Sequence, residues 1–191
     1  MQDFIFHNKT KVYFGKNQLP HLGEEISRFG KKALMVYGGG SIKKSGLYDR
    51  IMKELEGAGV TVFELGGVEP NPHHTTVNKG AEICKKESVD VLLAVGGGST
   101  IDATKGIAAA AKYVGDNVWD LVTGKAAVSE TLPIVTVLTL AATGSEMDGG
   151  CVISNVETNE KLGYFAPDNY PDVSFLDPTY TFTVSAYQTA S

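Results

Sequence analysis

The sequence predicts an α/β fold: a mostly parallel sheet with helices on both faces and a small β excursion near the C-terminus. Three observations carry this. Apolar runs at 33–37 (ALMVY) and within 89–95 and 133–138 read as strands buried on both faces. Between them lie segments with apolar residues at helical spacing, so strand and helix alternate. Two of the runs also stop at the same four residues, Gly-Gly-Gly-Ser, at 38–41 and at 96–99.

The elements follow in order. Residues 1–15 alternate roughly, with Phe4, Phe6, Val12 and Phe14 apolar, and are expected as extended chain framing an edge of the domain. Residues 17–29 place Leu19, Leu22, Ile26 and Phe29 at helical spacing, and Gly30 is a stop signal. After the 33–37 strand, residues 46–58 put Leu47, Ile51, Leu55 and Ala58 on one helical face, closed by Gly59. VTVFEL is the next strand, and GGVEPNP is a loop of turn residues. A helix over 74–87 turns Val77, Ala81 and Cys84 inward, and an Ala-rich helix occupies 100–113. Beyond Ala142 the pattern breaks into short extended pieces between turns, such as Cys151–Ser154 and Val173–Leu176, expected as a β excursion packed on the sheet.

Composition narrows the function. The chain has 191 residues, 42% hydrophobic and 20% charged, with 17 basic against 22 acidic side chains and a net charge of −5. An acidic surface without a basic block excludes nucleic acid as a partner. The pairs Lys31–Lys32, Lys43–Lys44 and Lys85–Lys86 read as solvated surface. Cys84 and Cys151 fit no metal-ligand spacing and are expected as free thiols in a reducing compartment. No signal-peptide pattern opens the chain, and the longest apolar stretch, near Pro133 to Ala142, is too short to span a bilayer. A cytoplasmic protein without membrane contact is the expectation.

A glycine-rich turn between a parallel strand and a helix lets the backbone approach a ligand closely. It aims free N–H groups and the positive helix end at one point, which suits phosphate. Such points lie at the carboxyl ends of the strands. Ser99 can add a hydroxyl, and Asp102 sits in the first helical turn as a favourable charge and a candidate cap partner. Neither junction is G-x-G-x-x-G, because Lys43 and Ile101 stand where the last glycine belongs, and a Walker loop is absent as well.

FHNKTKVYFG, VYGGGSIKKSG, EPNP, AVGGGSTIDATKG, TGSEMD with VISN and EKLG, and FLDP with YQTAS occur in that order. With these motifs the whole chain resembles the iron-dependent (group III) alcohol dehydrogenases, in the branch of bacterial butanol dehydrogenases and aldehyde reductases. The resemblance implies a two-domain enzyme: a Rossmann-like half that holds NAD(P), and a helical half that carries iron or, in some members, zinc. It implies that Gly96, Gly97, Gly98, Ser99 and Asp102 bind the pyrophosphate, and that Gly39, Gly40 and Ser41 lie beside the adenosine ribose. Asn71, Thr139, Val152 and Lys161 match positions that line the cofactor. The substrate implied is an aldehyde or a primary alcohol. The family often forms dimers, and edge strands near the N-terminus are able to pair.

One departure from the family pattern bears on the cofactor. Many NAD-preferring relatives carry an Asp at the first turn, whereas this turn reads Tyr37-Gly38-Gly39-Gly40-Ser41. Without that carboxylate, Ser41, Lys43 or Lys44 can take a 2′-phosphate, so NADP is favoured over NAD.

The family's metal site uses one Asp and three His, beginning on a helix just past the segment that matches YQTAS. The expectation is therefore a cofactor-binding domain over residues 1–178, with 179–191 opening the link to a helical metal domain beyond Ser191. No catalytic or metal-ligating residue is assigned within the chain, which alone is expected to lack dehydrogenase activity. His7, His21, His73 and His74 have no helical i, i+4 partner, and the adjacent His73 and His74 are expected to start a helix. Asp148 is able to approach the cleft, residues 143–146 are expected as a nucleotide-side turn, and Asp168, Asp172 and Asp177 as turn residues. The open alternatives are a glycerol dehydrogenase-like or dehydroquinate synthase-like enzyme, and a nucleotide-binding module without catalysis.

Overall fold

The computed structural model describes residues 3, 5, 7–166 and 168–187. Its strands are β1 (Lys11–Phe14), β2 (Lys32–Tyr37), β3 (Thr61–Leu65), β4 (Val91–Gly96), β5 (Ile134–Leu138), β6 (Gly150–Asn155), β7 (Glu160–Phe165) and β8 (Val173–Leu176). Six of them form a wholly parallel sheet in the order β1-β8-β5-β4-β2-β3, and β6 and β7 pair as a separate antiparallel hairpin. The helices are α1 (Leu22–Ser27), α2 (Ser41–Lys44), α3 (Leu47–Gly57), α4 (His74–Glu87), α5 (Gly98–Lys112) and α6 (Val118–Val122).

The apolar runs are continuous because both faces of the sheet are covered. Ala33, Met35 and Tyr37 of β2 join Ile26 of α1 and Ile51 and Leu55 of α3 on one face. Leu34 and Val36 join Val77 and Ala81 of α4 and Ile107 of α5 on the other. Burying one such aliphatic side chain contributes about 1.5–3 kcal/mol, so the two faces supply the main drive to fold. α4 and α5 lie close because Gly80 and Gly106 face them: a Cβ on Gly80 would stand 2.5 Å from Ile107 Cδ1.

The expected α4 is found over 74–87, with Val77, Ala81 and Cys84 buried and His73 at its N-cap. Several other expectations need correction. The helix drawn over 17–29 is a 3-10 turn at Leu19–His21 followed by α1, because Pro20 sits in the first turn and the backbone tightens around it. The extended N-terminal stretch agrees with expectation and is the edge strand β1, while Phe4 and Phe6 lie outside the described residues. Val173–Leu176 is no excursion. It is an inner strand of the main sheet, paired with β1 and β5, and Val173, Ser174 and Phe175 are buried. The excursion is the β6–β7 hairpin; β7 (EKLGYF) is largely exposed and therefore lacks a burial pattern that a sequence could display. α2 and α6 were not foreseen; α6 is capped by the Asn117 side chain, which accepts from the Trp119 N–H.

The chain order reverses between β2 and β4. From β2 the chain passes outward through α3 to β3, comes back to β4 on the other side of β2, and continues through α5 to β5. α3 and α5 cover opposite faces, so the carboxyl ends of β2 and β4 open into a crevice. In open α/β sheets ligands bind at such a reversal. The two Gly-Gly-Gly-Ser segments are these two strand ends.

Candidate functional site

At the second junction Gly96 closes β4 and Gly97 is the N-cap of α5, with no side chain capping the first turn of that helix. The positive end of a 15-residue helix thus faces the crevice. Two glycines are required by close approach. A Cβ on Gly96 would stand 2.4 Å from Thr100 Oγ1, and one on Gly98 would stand 2.5 Å from Thr143 Oγ1. Thr143 belongs to the 143–146 turn, which continues as a 3-10 turn over Ser145–Met147. The Thr139 N–H donates to the Gly96 carbonyl at 3.0 Å, tying the end of β5 to the same turn.

Three predicted residues from distant segments, Ser99, Asn71 and Lys161, are linked by hydrogen bonds. Ser99 Oγ accepts from the Asn71 N–H at 3.3 Å, and Asn71 Oδ1 accepts from Lys161 Nζ at 2.6 Å. Asn71 holds φ at 58°, the left-handed region that Asn tolerates better than most residues. The hairpin reaches this loop through the Ser154 N–H, which donates to the Pro72 carbonyl at 2.9 Å.

Asp102 is placed differently from the sequence expectation. Its carboxylate accepts from Ser145 Oγ at 2.6 Å and from the Val152 N–H at 3.0 Å, so it turns onto the hairpin and the 143–146 turn. Burial pushes its carboxyl above the ordinary range, against the pull of those two hydrogen bonds. One turn further along α5, Lys105 is fully buried and donates to Ser145 Oγ (3.0 Å), Asp148 Oδ1 (2.9 Å) and the Gly150 carbonyl (2.8 Å). All three ammonium protons are used. Sequence reasoning passed over Lys105. The signal was a lysine set among the small and apolar residues of the Ala-rich helix, between Thr104 and Gly106, a setting that demands an anionic partner when it is buried.

At the first junction Gly40 caps α2 with φ at 99°, and neither Gly39 nor Gly40 has a neighbour where a Cβ would stand. Ser41 shares a cavity of about 240 Å³ with Thr139, Arg50 and Tyr180. Lys43 does not point freely into water. Its Nζ lies 3.6 Å from Glu64 Oε2, 5.1 Å from the Tyr37 ring centre and 4.5 Å from that of Tyr48. Glu64, Tyr37 and Tyr48 were also missed. Glu64 sits within a β-rich run whose alternation gives no hint of partners.

Among the described residues no three His, Cys, Asp or Glu side chains converge on one point. His74 is buried against Trp119, and His73 faces Glu69 at 3.6 Å. Burial pushes the Cys84 thiol up to about 12 and Cys151 above the ordinary thiol range, so neither is a ready thiolate. The described residues do not fit an iron or zinc ion. No helix among them is long and apolar enough to cross a membrane.

The iron-containing alcohol dehydrogenase profile matches residues 9–178. The chain belongs to that family. It is 58% identical over 184 residues to the "Probable NADH-dependent butanol dehydrogenase 1" of Bacillus subtilis, a match covering 96% of this chain and 47% of the relative. It is 40% identical to the NADPH-dependent aldehyde reductase YqhD of Escherichia coli, over 100% of this chain and 49% of the relative. The crystal structure of NADH-dependent butanol dehydrogenase A from Thermotoga maritima superposes with a TM-score of 0.93 at 47% identity, covering 99% of this chain and 48% of the other. The chain thus spans about half the length of the relatives it matches.

Proposed function

We propose that this chain is the cofactor-binding part of a metal-dependent alcohol dehydrogenase or aldehyde reductase, which moves a hydride between NAD(P)H and an aldehyde or primary alcohol. The observation that carries the reading is the crevice between β2 and β4, where both glycine turns and the uncapped start of α5 face one space. Gly96, Gly97, Gly98 and Ser99 would hold the pyrophosphate by backbone N–H groups and the helix end. Gly39, Gly40 and Ser41 would leave room for the adenosine ribose. Asn71, Thr139, Val152 and Lys161 would line the remainder, with Lys161 and Asn71 already joined. Asp102 would act indirectly, by fixing Val152. The bound nicotinamide supplies the hydride chemistry, and the residues here bind and orient it.

NADPH is the favoured cofactor in this reading. No side chain of the first turn is a carboxylate, and both oxygens of nearby Glu64 already accept phenol hydrogen bonds. Ser41 and Lys44 are exposed beside the turn. The relatives' names include both NADH- and NADPH-dependent enzymes. The domain border near residue 178, the metal half beyond it, pairing of two copies through the edge strand β1, and a cytoplasmic setting that suits two buried free thiols belong to the same proposal.

Calorimetric titration of the folded chain with NADPH and NADH tests it, with Gly97→Asp as control. A carboxylate there opposes the pyrophosphate in charge and size. Binding by the native chain, lost in the control, supports the reading, and the affinity ratio reports the preference for the 2′-phosphate. Binding unchanged in the control would remove the pyrophosphate assignment.

A further inference from the structure

The side chains next to the first glycine turn form a closed set. Tyr37, the last residue of β2, donates through its hydroxyl to Glu64 Oε2 at 2.7 Å. Tyr48, in the first turn of α3, donates to Glu64 Oε1 at 2.7 Å. Lys43, two residues past Ser41, completes the set at 3.6 Å from Glu64 Oε2, with its ammonium over both rings. The set is fixed in place. The Tyr37 ring lies against Gly66, where a Cβ would stand 2.7 Å from Cε2, and the Val68 and Gly67 N–H groups donate to the Tyr37 and Gly38 carbonyls.

The members are not equally bound. Each Glu64 oxygen has a charge-assisted hydrogen bond from a phenol, so the carboxylate stays satisfied whether or not Lys43 is present. Burial alone would raise the Glu64 carboxyl; the hydrogen bonds from Tyr37 and Tyr48, with Lys43, outweigh it and hold it below its ordinary range. Lys43 has a single carboxylate contact beyond hydrogen-bond length, two ring faces, and a side chain 49% exposed. It can therefore swing to another anion at small cost. The negative charge fixed behind it opposes any phosphate that it would serve.

We propose that Lys43 is the residue that recognises the 2′-phosphate of the dinucleotide, and that Glu64, held by Tyr37 and Tyr48, is a built-in counter-charge that limits this preference. The inference rests on placing the adenosine ribose at Gly39–Ser41, and deepens that reading. In the resting arrangement Lys43 is neutralised and the turn accepts a ribose with free hydroxyls. A 2′-phosphate draws Lys43 away from Glu64, and the two phenols keep Glu64 from being stranded. Lys43 and Glu64 thus set the ratio of the two cofactor affinities without altering the pyrophosphate cradle.

The test uses the 191-residue chain and adenosine-end probes, adenosine 2′,5′-bisphosphate against 5′-AMP, titrated by calorimetry with thermal melts as a check on folding. Lys43→Met is expected to reduce the preference for the bisphosphate about tenfold and Lys43→Arg to keep it; Glu64→Gln is expected to raise it about threefold. The 5′-AMP affinity should move less than twofold in all three. A preference that Lys43→Met leaves unchanged, or that Glu64→Gln lowers in a folded variant, overturns the inference while the crevice reading stands. Failure of the folded native chain to bind either probe overturns both.

Discussion

Lys105 Nζ, with no solvent exposure, lies 2.9 Å from Asp148 Oδ1, whose side chain is 54% exposed. The asymmetry predicts which partner is costlier to lose. Removing Asp148 leaves a buried ammonium with only Ser145 Oγ, the Gly150 carbonyl and the nearby Asp102 charge. Removing Lys105 leaves Asp148, which water can solvate, and Asp102, which keeps its bonds from Ser145 and Val152, and puts apolar volume where a charge had been desolvated. Asp148→Ala should therefore cost about 3 kcal/mol and Lys105→Met clearly less, measured by urea unfolding. The reverse order would mean that Lys105 holds the fold through its bonds to Ser145 and Gly150 and not through charge pairing.

The contact between Gly98 and Thr143 carries a second prediction. A methyl at Gly98 would meet Thr143 Oγ1 at 2.5 Å and Cγ2 at 2.7 Å, forcing the 143–146 turn off the start of α5. That turn carries Ser145, which bonds both Asp102 and Lys105, so the displacement spreads to the hairpin. Gly98→Ala is expected to weaken dinucleotide binding about tenfold, roughly 1.4 kcal/mol. Gly98→Ala with Thr143→Ser removes the Cγ2 clash and should restore part of the loss. Equal affinity in native and Gly98→Ala chains would show that the turn is free to shift at no cost.

A third prediction concerns pH. Glu25 on α1 is 2% exposed and accepts from Lys11, from the Tyr13 hydroxyl at 2.7 Å and from Arg28 at 3.0 Å. Burial by itself would raise its carboxyl, but the bonds from Lys11 and Tyr13 outweigh it and hold it below the ordinary 4.5. A depressed carboxyl contributes stability that is complete above its unfolded value and is lost as pH falls through the folded one. Glu25→Gln should cost about 2 kcal/mol near neutral pH, and the gap to the native chain should close as pH drops below 4.5. A gap independent of pH would mean that packing, not charge, is what Glu25 provides.

How much of this was legible in the sequence depends on how local each signal was. β2, β4, α4 and α5 were readable because burial on both faces writes itself as an unbroken apolar run or a clean helical period. The glycine turns were readable because close approach at Gly96 and Gly98, and a left-handed backbone at Gly40, favour glycine. β8 was misplaced because four residues carry too little pattern to say which sheet they join; its neighbours β1 and β5 are set by chain segments far away in sequence. The site showed the same division. Gly96–Ser99 stand out locally and Asn71 enters only through the family motif, whereas the Lys105–Asp148 and Lys43–Glu64 pairs join residues 43 and 21 positions apart. Nothing in either partner's neighbourhood names the other. Asp102 is a candidate that the sequence offers, but its turn toward Ser145 and Val152 depends on where the hairpin docks.

The approach of α4 to α5 makes the last prediction, and there two magnitudes compete. Alanine in place of Gly80 gains about 1 kcal/mol of helix propensity in the interior of α4. The same methyl would stand 2.5 Å from Ile107 Cδ1, 2.7 Å from its Cγ1 and 3.0 Å from Leu65 Cδ2. Ile107 is fully buried, its rotamer is stiff, and overpacking of this kind costs about 1–3 kcal/mol. The clash should win by about 1 kcal/mol, so Gly80→Ala is expected to lower the melting temperature. Ile107→Val removes the Cδ1 that is struck, at a cost of about 1 kcal/mol by itself. In the double variant the shortest of the three contacts is gone while the propensity gain stays, so it should be more stable than the sum of the two single changes. Additive losses would mean instead that α4 slides away from α5 and that the two helices are not locked in register by Gly80.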